Sequence, residues 1–339
     1  MDRKSTSFLI VGLLVGMFLT TGAFAWLARS DRGGSGGENR LVLKLAHSLP
    51  PAAPVHKAME RFAVLLAEKS GGTVEVQIFP SGQLGSETET IEQLQRGALA
   101  MVKTSVAAME GFVPEMAIFG VPYVFRSEDH FWRVIEGPIG EELLAQGEGA
   151  DIHGLCYYDA GARSFYTVPR AVNAPADLAG LKIRTQRSAT SMEMIATLGG
   201  SAAAIPFGEL YTALQQGMVD GAENNAPSVY DSRHWEVAKF YSLDEHARVP
   251  DMLVFSQPIW EKLPGQVQEW ITEAARESVP YQRQIWTNYV ADCLAKLAAE
   301  GVTITHPDQK PFQDAVLPMY ENLKGTPIGL LIERVQGVK

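Results

Sequence analysis

The 339-residue chain carries 29 basic and 39 acidic side chains, a formal charge of -10, and 46% hydrophobic residues. That length holds about two domains with a large buried core, and 20% charged with 9% aromatic residues excludes a disordered or fibrous chain. The acidic balance, with no run of five or more lysines or arginines, excludes binding dominated by a nucleic-acid backbone; a pocket with one or two placed arginines still suits a small anion.

Arg3 and Lys4 precede an apolar run from Phe8 to about Leu27, with Ala23 and Ala25 at the A-x-A spacing of a cleavage site. This predicts a signal peptide over 1–25 and a flexible, glycine-rich linker over 26–40. The run is also long enough to span a bilayer, so an uncleaved anchor competes with cleavage; both readings export the domain to the periplasm. Only Cys156 and Cys293 occur, and a bridge between them stays open, since a chain of this size does not need one.

The folded part opens with a strand at Leu41–Ala46. Pro54 at a first helical turn and Val55, Ala58, Met59, Phe62, Ala63 and Leu66 at helical spacing predict a helix that stops at Gly71-Gly72. Val74, Val76 and Ile78 predict a strand. Ser86 with Glu89 forms a capping box for a helix ending at Gly97. Strands are expected at 101–105, 152–158 and 181–185, with a turn at 160–163 and a connector at 172–178. A helix at 206–216 should end at Gly217. From Pro264 to Gly301 the apolar spacing is helical, and Pro280 predicts a bend or two abutting helices. A late strand begins near Val302. Strands alternating with helices define an α/β fold.

Catalytic signatures are lacking: there is no phosphate-cradling glycine loop, no nucleophile elbow and no paired-histidine helix. Asp244, Glu245 and His246 are three consecutive residues, which cannot all face one metal from a regular element. More telling is Arg184 inside Leu181-Lys-Ile-Arg-Thr185, which is either one residue of a solvated strand face or a guanidinium fork for a carboxylate. Arg163 has the same two readings, with a structural ion pair as the plainer one. In Asp220-Gly-Ala-Glu-Asn-Asn225, a polar turn competes with Asn224 as a ligand amide and Glu223 as the acid that orients an arginine. Lys103 within an apolar strand, and Glu87 and His47 at helix-start or strand-end positions, join the polar set of the loops where α/β folds bind small acids, although each also suits a surface.

These residues resemble the solute-binding proteins of tripartite ATP-independent periplasmic (TRAP) transporters, the DctP-like family. Its motifs are Pro80-Ser-Gly-Gln-Leu-Gly-Ser86 with Glu87, Gly180-Leu-Lys-Ile-Arg184, and Phe207-Gly-Glu-Leu-Tyr-Thr-Ala-Leu-Gln215 leading to Val219-Asp-Gly-Ala-Glu-Asn224. The resemblance runs from about Leu41 to Leu297. It implies a periplasmic binding protein fold: two α/β lobes with a hinge and a long helix spanning both. Lobe I is expected over 41–163 with about 248–290, and lobe II over 164–247 with about 291–335. By motif, Arg184 matches the arginine that pairs with the substrate carboxylate, Asn224 the asparagine beside it, and Arg163 a second ligand arginine. Gly161-Ala-Arg-Ser-Phe-Tyr166, Ala222-Glu-Asn-Asn225, Ser232-Arg-His234 and Tyr241-Ser-Leu-Asp-Glu-His246 resemble the branch that takes glucuronate and galacturonate. In that branch Glu87, Lys103, His47 and Gln186 contact hydroxyls, and Glu223 and Asn225 complete the set.

The resemblance thus implies a monomeric receptor, not an enzyme, without cofactor or metal, that hands a sugar acid to a TRAP membrane permease. Arg187 after the strand is a departure that opens an aldarate as substrate, and a C4-dicarboxylate is the other same-fold alternative. An exported hydrolase is the remote one.

Overall fold

The computed structural model describes residues 40–339. The expected signal segment over 1–25, and all but the last residue of the linker over 26–40, lie outside the described residues. Among the described residues no helix is long and apolar enough to cross a membrane.

Two sheets organise the chain. The first, in the order β2-β1-β3-β10-β4, joins Val74–Phe79, Leu41–Ala46, Met101–Ser105, Asp251–Ser256 and Ile152–Tyr158. The second, in the order β11-β9-β5-β8-β6-β7, joins Thr303–Thr305, Phe240–Arg248, Ala162–Thr167, Gly221–Asn224, Lys182–Thr185 and Ser201–Ala204. Each sheet and its helices enclose their own core. Val102, Phe119, Phe131 and Val254 belong to the core of the first lobe, and Ile183, Leu214, Ala222 and Tyr241 to the packing of the second. This is the mixed α/β architecture expected from the alternating pattern.

Local signals explain many element ends. Pro54 opens the helix Pro54–Lys69, and Ser86 and Glu89 form the predicted capping box at the start of Glu87–Gln95. Arg163, expected in a turn, instead lies within β5, paired opposite Ala247 of β9. The irregular segment is shorter than expected, and within it Gly161 takes a left-handed backbone at φ +63°.

The chain crosses between the sheets at Asp159–Gly161, after β4, and at Val249–Pro250, before β10. Beside the first crossing runs one unbroken helix, Gly265–Ala299, of 35 residues. Pro280, expected to bend or divide it, does not divide it. Pro280 is exposed, so water can satisfy the carbonyl that loses its partner. Its Gln282 clamps the crossing: the amide donates to the Asp159 carbonyl and accepts from the Asp159 N–H, both at 2.8 Å. Tyr158 Oη and Ser278 Oγ lie 2.7 Å apart beside it.

The end of the chain touches both cores. Phe312 and Met319 join the second, whereas Leu331, Ile332 and Val335 of the helix Pro327–Gly337 pack into the first. Cys156 and Cys293 are both buried free thiols, and burial, the largest influence on each, pushes both up to about 12.

Candidate functional site: a cleft between two sheets

Parallel pairing puts the carboxyl ends of β1 and β3 on one side of a gap and those of β6 and β8 on the other. Strand ends of this kind are where an α/β fold leaves room for ligands. A cleft of about 580 Å³, counted to its open mouth, lies there. A second cavity of about 810 Å³ shares Glu87, Gln186 and Phe207 with it.

The first-sheet wall carries opposite charges. Lys103 is buried in mid-β3, and its Nζ lies 2.9 Å from Asp251 Oδ2. In the antiparallel ladder Lys103 faces Leu253 and Ser105 faces Asp251, so the pair forms along a diagonal. Burial, the largest influence, raises the Asp251 pKa despite the adjacent ammonium. The Ser105 N–H donates to Glu87 Oε1 at 3.0 Å.

On the second-sheet wall, Arg163 is held on several edges. Its Nη2 donates to Glu223 Oε1 at 2.9 Å and to the Glu223 carbonyl at 2.8 Å, its Nε pairs with Glu223 Oε2, and its Nη1 donates to Asn224 Oδ1 at 3.0 Å. Burial favours a neutral Glu223, but Arg163 and His246 outweigh it and bring the carboxyl down to about 2. His246 Nδ1 and Asp244 Oδ2 are 2.9 Å apart, and His246 Nε2 is 3.6 Å from Glu223 Oε2. Burial opposes the imidazolium; the two acids override it and raise His246 to about 9. Alternating Arg163, Glu223, His246 and Asp244 thus form a buried chain of balanced charges.

Arg184 differs from all of these. It is 1% exposed, its Nε donates to the Ile205 carbonyl at 2.7 Å, and its Nη1 is buried without a partner. Its guanidinium lies 5.9 Å from the Phe207 ring centroid. It lines the second cavity, whose walls come from both lobes: Ser86 to Glu89 on one side, Arg184 to Arg187 and Ala204 to Phe207 on the other. Burial lowers its pKa. The solvated-face alternative therefore does not hold for Arg184, although Lys182 on the same strand is exposed. The structure supplies a buried fork with donor capacity to spare, which is what a carboxylate ligand needs.

Gln186 joins the two walls. Its Nε2 donates to Glu87 Oε2 at 3.3 Å, and its Oε1 accepts from Ser105 Oγ at 3.2 Å. Glu110 of the first lobe likewise accepts from Thr190 N and Oγ1, each at 3.0 Å.

Of the residues singled out in the sequence, Arg163, Asn224, Glu87, Lys103, Gln186 and Asn225 line the first cleft, and Arg184 lines its neighbour. Asn225 is there largely for structure: its Oδ1 caps the helix Ala226–Asp231 by accepting from Ser228 N, and its Nδ2 donates to the Ala160 carbonyl. Glu223 lies behind the wall and acts through Arg163. His47 stands apart from the rest. It lines neither cavity; its Nε2 contacts His56 Nδ1 at 2.9 Å, and its Nδ1 accepts from Leu49 N at 3.2 Å. Burial, then Lys103, bring it down to about 2, so it is a neutral prop under the adjoining Ser48 and Leu49. Sequence reasoning missed Asp251, Asp231 and Trp286, all on the first cleft. Asp251 carried one signal, an acid opening an apolar run that ends at Phe255.

Two lobes clamped by a crossing helix around a cation-bearing cleft define a solute receptor. The chain belongs to the bacterial extracellular solute-binding protein family 7, DctP, whose model matches residues 45–325. A TRAP periplasmic solute-binding protein from Bradyrhizobium sp. BTAi1, in complex with α/β-D-galacturonate, is 42% identical, with a TM-score of 0.85 over 87% of this chain and 99% of that one. Another from Roseobacter denitrificans, with bound β-D-glucuronate, is 36% identical with a TM-score of 0.85, over 88% of this chain and all (100%) of that one. A solute-binding protein of Chromohalobacter salexigens is 36% identical over 80% of this chain and 81% of its own length.

Proposed function

We propose that this protein is a periplasmic receptor that captures a hexuronate, galacturonate or glucuronate, and delivers it to a TRAP membrane permease without covalent chemistry. The observation that carries this reading is the buried Arg184 Nη1 without a partner beside a cleft rich in hydroxyl-binding groups. A charge taken from water costs several kcal/mol unless it is paired and hydrogen bonded. A uronate carboxylate supplies the partner Arg184 lacks, and Glu87, Lys103, Gln186 and Asn224 supply acceptors and donors for the ring hydroxyls. Relatives with bound galacturonate and glucuronate support the same substrate class.

The proposed lobe division is 41–163 with about 248–290 against 164–247 with about 291–335, amended so that the helix Pro327–Gly337 goes with the first core and Arg163 with the second sheet. Closure proceeds about the crossings at 159–161 and 249–250, braced by Gln282. Export by the leader segment and a monomeric state complete the proposal.

Calorimetry on unfolded and refolded, ligand-stripped protein tests it. Galacturonate or glucuronate should bind with clear preference over malate and sialic acid, and neither should be turned over on prolonged incubation. Binding of malate in preference to both uronates would transfer the assignment to a dicarboxylate receptor.

A further inference from the structure

The first-sheet wall of the cleft is acidic in a way that the carboxylate-binding side is not. Asp251 faces Ser105 across the β3–β10 ladder, and the Ser105 N–H is held by Glu87 Oε1 at 3.0 Å, so two carboxylates flank one backbone position. Both line the first cleft; Asp231, whose Oδ2 is buried without a partner, lines it from the opposite side, at the end of the second-lobe helix Ala226–Asp231. The cations on that lining are Lys103, 2.9 Å from Asp251, and Arg163, which Glu223 already neutralises from behind. Arg187, the one feature of the sequence that favoured a second acid, is exposed and lines the neighbouring cavity with Arg184, not the wall that carries Asp251.

We propose that Asp251, with Glu87, is a specificity-determining residue that limits this receptor to acids with a single carboxylate. Resting on the receptor reading above, it sharpens that reading. A neutral hydroxyl entering this wall donates to Asp251 or Glu87 and accepts from Lys103, adding to the bonds these groups already make. A carboxylate entering the same place donates nothing and meets like charges in a poorly hydrated space. Discrimination then comes from repulsion of the wrong ligand as much as from attraction of the right one. C4-dicarboxylates and aldarates are excluded by the same wall that reads the sugar.

Galactonate and galactarate provide the test, because they differ only in a terminal hydroxymethyl against a carboxylate. Calorimetry is run on the intact wild type, on Asp251→Asn and on Glu87→Gln, with galacturonate as the reference ligand. The wild type should disfavour galactarate by about 100-fold or more, and each variant should improve galactarate relative to galactonate by at least about tenfold. Glu87→Gln guards against misfolding, because Glu87 makes no ion pair among the described residues whereas Asp251→Asn strands Lys103. Galacturonate binding with no relative gain for galactarate in either variant overturns this inference and leaves the receptor reading standing. Failure of the wild type to bind any uronate overturns the receptor reading, and this inference with it.

Discussion

The Gln186 side chain donates to Glu87 Oε2 at 3.3 Å while accepting from Ser105 Oγ at 3.2 Å, so one amide of the second lobe is held by two residues of the first. Gln186 sits directly after β6, two residues beyond Arg184, and Glu87 opens the helix that follows the capping serine. The side-chain link between the lobes and the Arg184 fork therefore lie at the end of one short strand.

Truncation of Gln186 removes both links without touching the Arg184 fork. At about 0.5–1.5 kcal/mol for each bond, Gln186→Ala should weaken uronate binding by roughly 5- to 150-fold, mainly as faster dissociation. Stopped-flow fluorescence can follow this through Trp286, which lines the cleft. An unchanged dissociation rate would show that closure does not depend on this amide.

Arg184 should separate binding from stability. Its guanidinium makes one hydrogen bond and leaves a buried nitrogen unpaired, so the ligand-free fold carries its desolvation with little return. Arg184→Met should keep or raise the melting temperature of the ligand-free protein and abolish the rise caused by uronate, with a loss of about 2–5 kcal/mol in binding. Arg184→Lys should keep the charge and still bind poorly, because a point charge replaces a two-pronged fork. Retained uronate affinity in the Met variant would remove Arg184 from the site.

The buried His246 predicts a stability slope with a definite sign. Its folded pKa of about 9 lies above its ordinary value of 6.5. Its contribution is therefore full below about pH 6.5 and is lost progressively as pH rises through 9. The size is at most about 3 kcal/mol. Glu223, down at about 2 from 4.5, contributes in the opposite sense: its share is full above 4.5 and is lost as pH falls toward 2. Chemical denaturation of wild type and His246→Gln should show the two stabilities converging between pH 7 and 10. Parallel curves over that range would rule out a protonated His246.

Much of this could be read along the chain. Lys103 was legible as a charge within an apolar strand, but neither its burial nor its partner was: that is Asp251, 148 residues away in sequence and diagonal in the ladder. Alternation placed Lys182 and Arg184 on one face, yet Lys182 is exposed and Arg184 is not. Periodicity assigns a face; whether that face meets water depends on what the rest of the chain packs over it. For His47, likewise, the position at the end of β1 was legible, but the contact with His56 was not.

By itself, the sequence determined the α/β alternation, the capped helix starts and the family motifs, because these depend on neighbours a few residues apart and on residue types that turns and caps demand. Only the tertiary structure decided which ionisable groups are neutralised and which are not. Arg163 and Arg184 look alike in the chain, but one finds Glu223 across a strand pair and the other finds only a carbonyl. Charge balance in a buried site is set by through-space distances and desolvation, and neither is local in sequence.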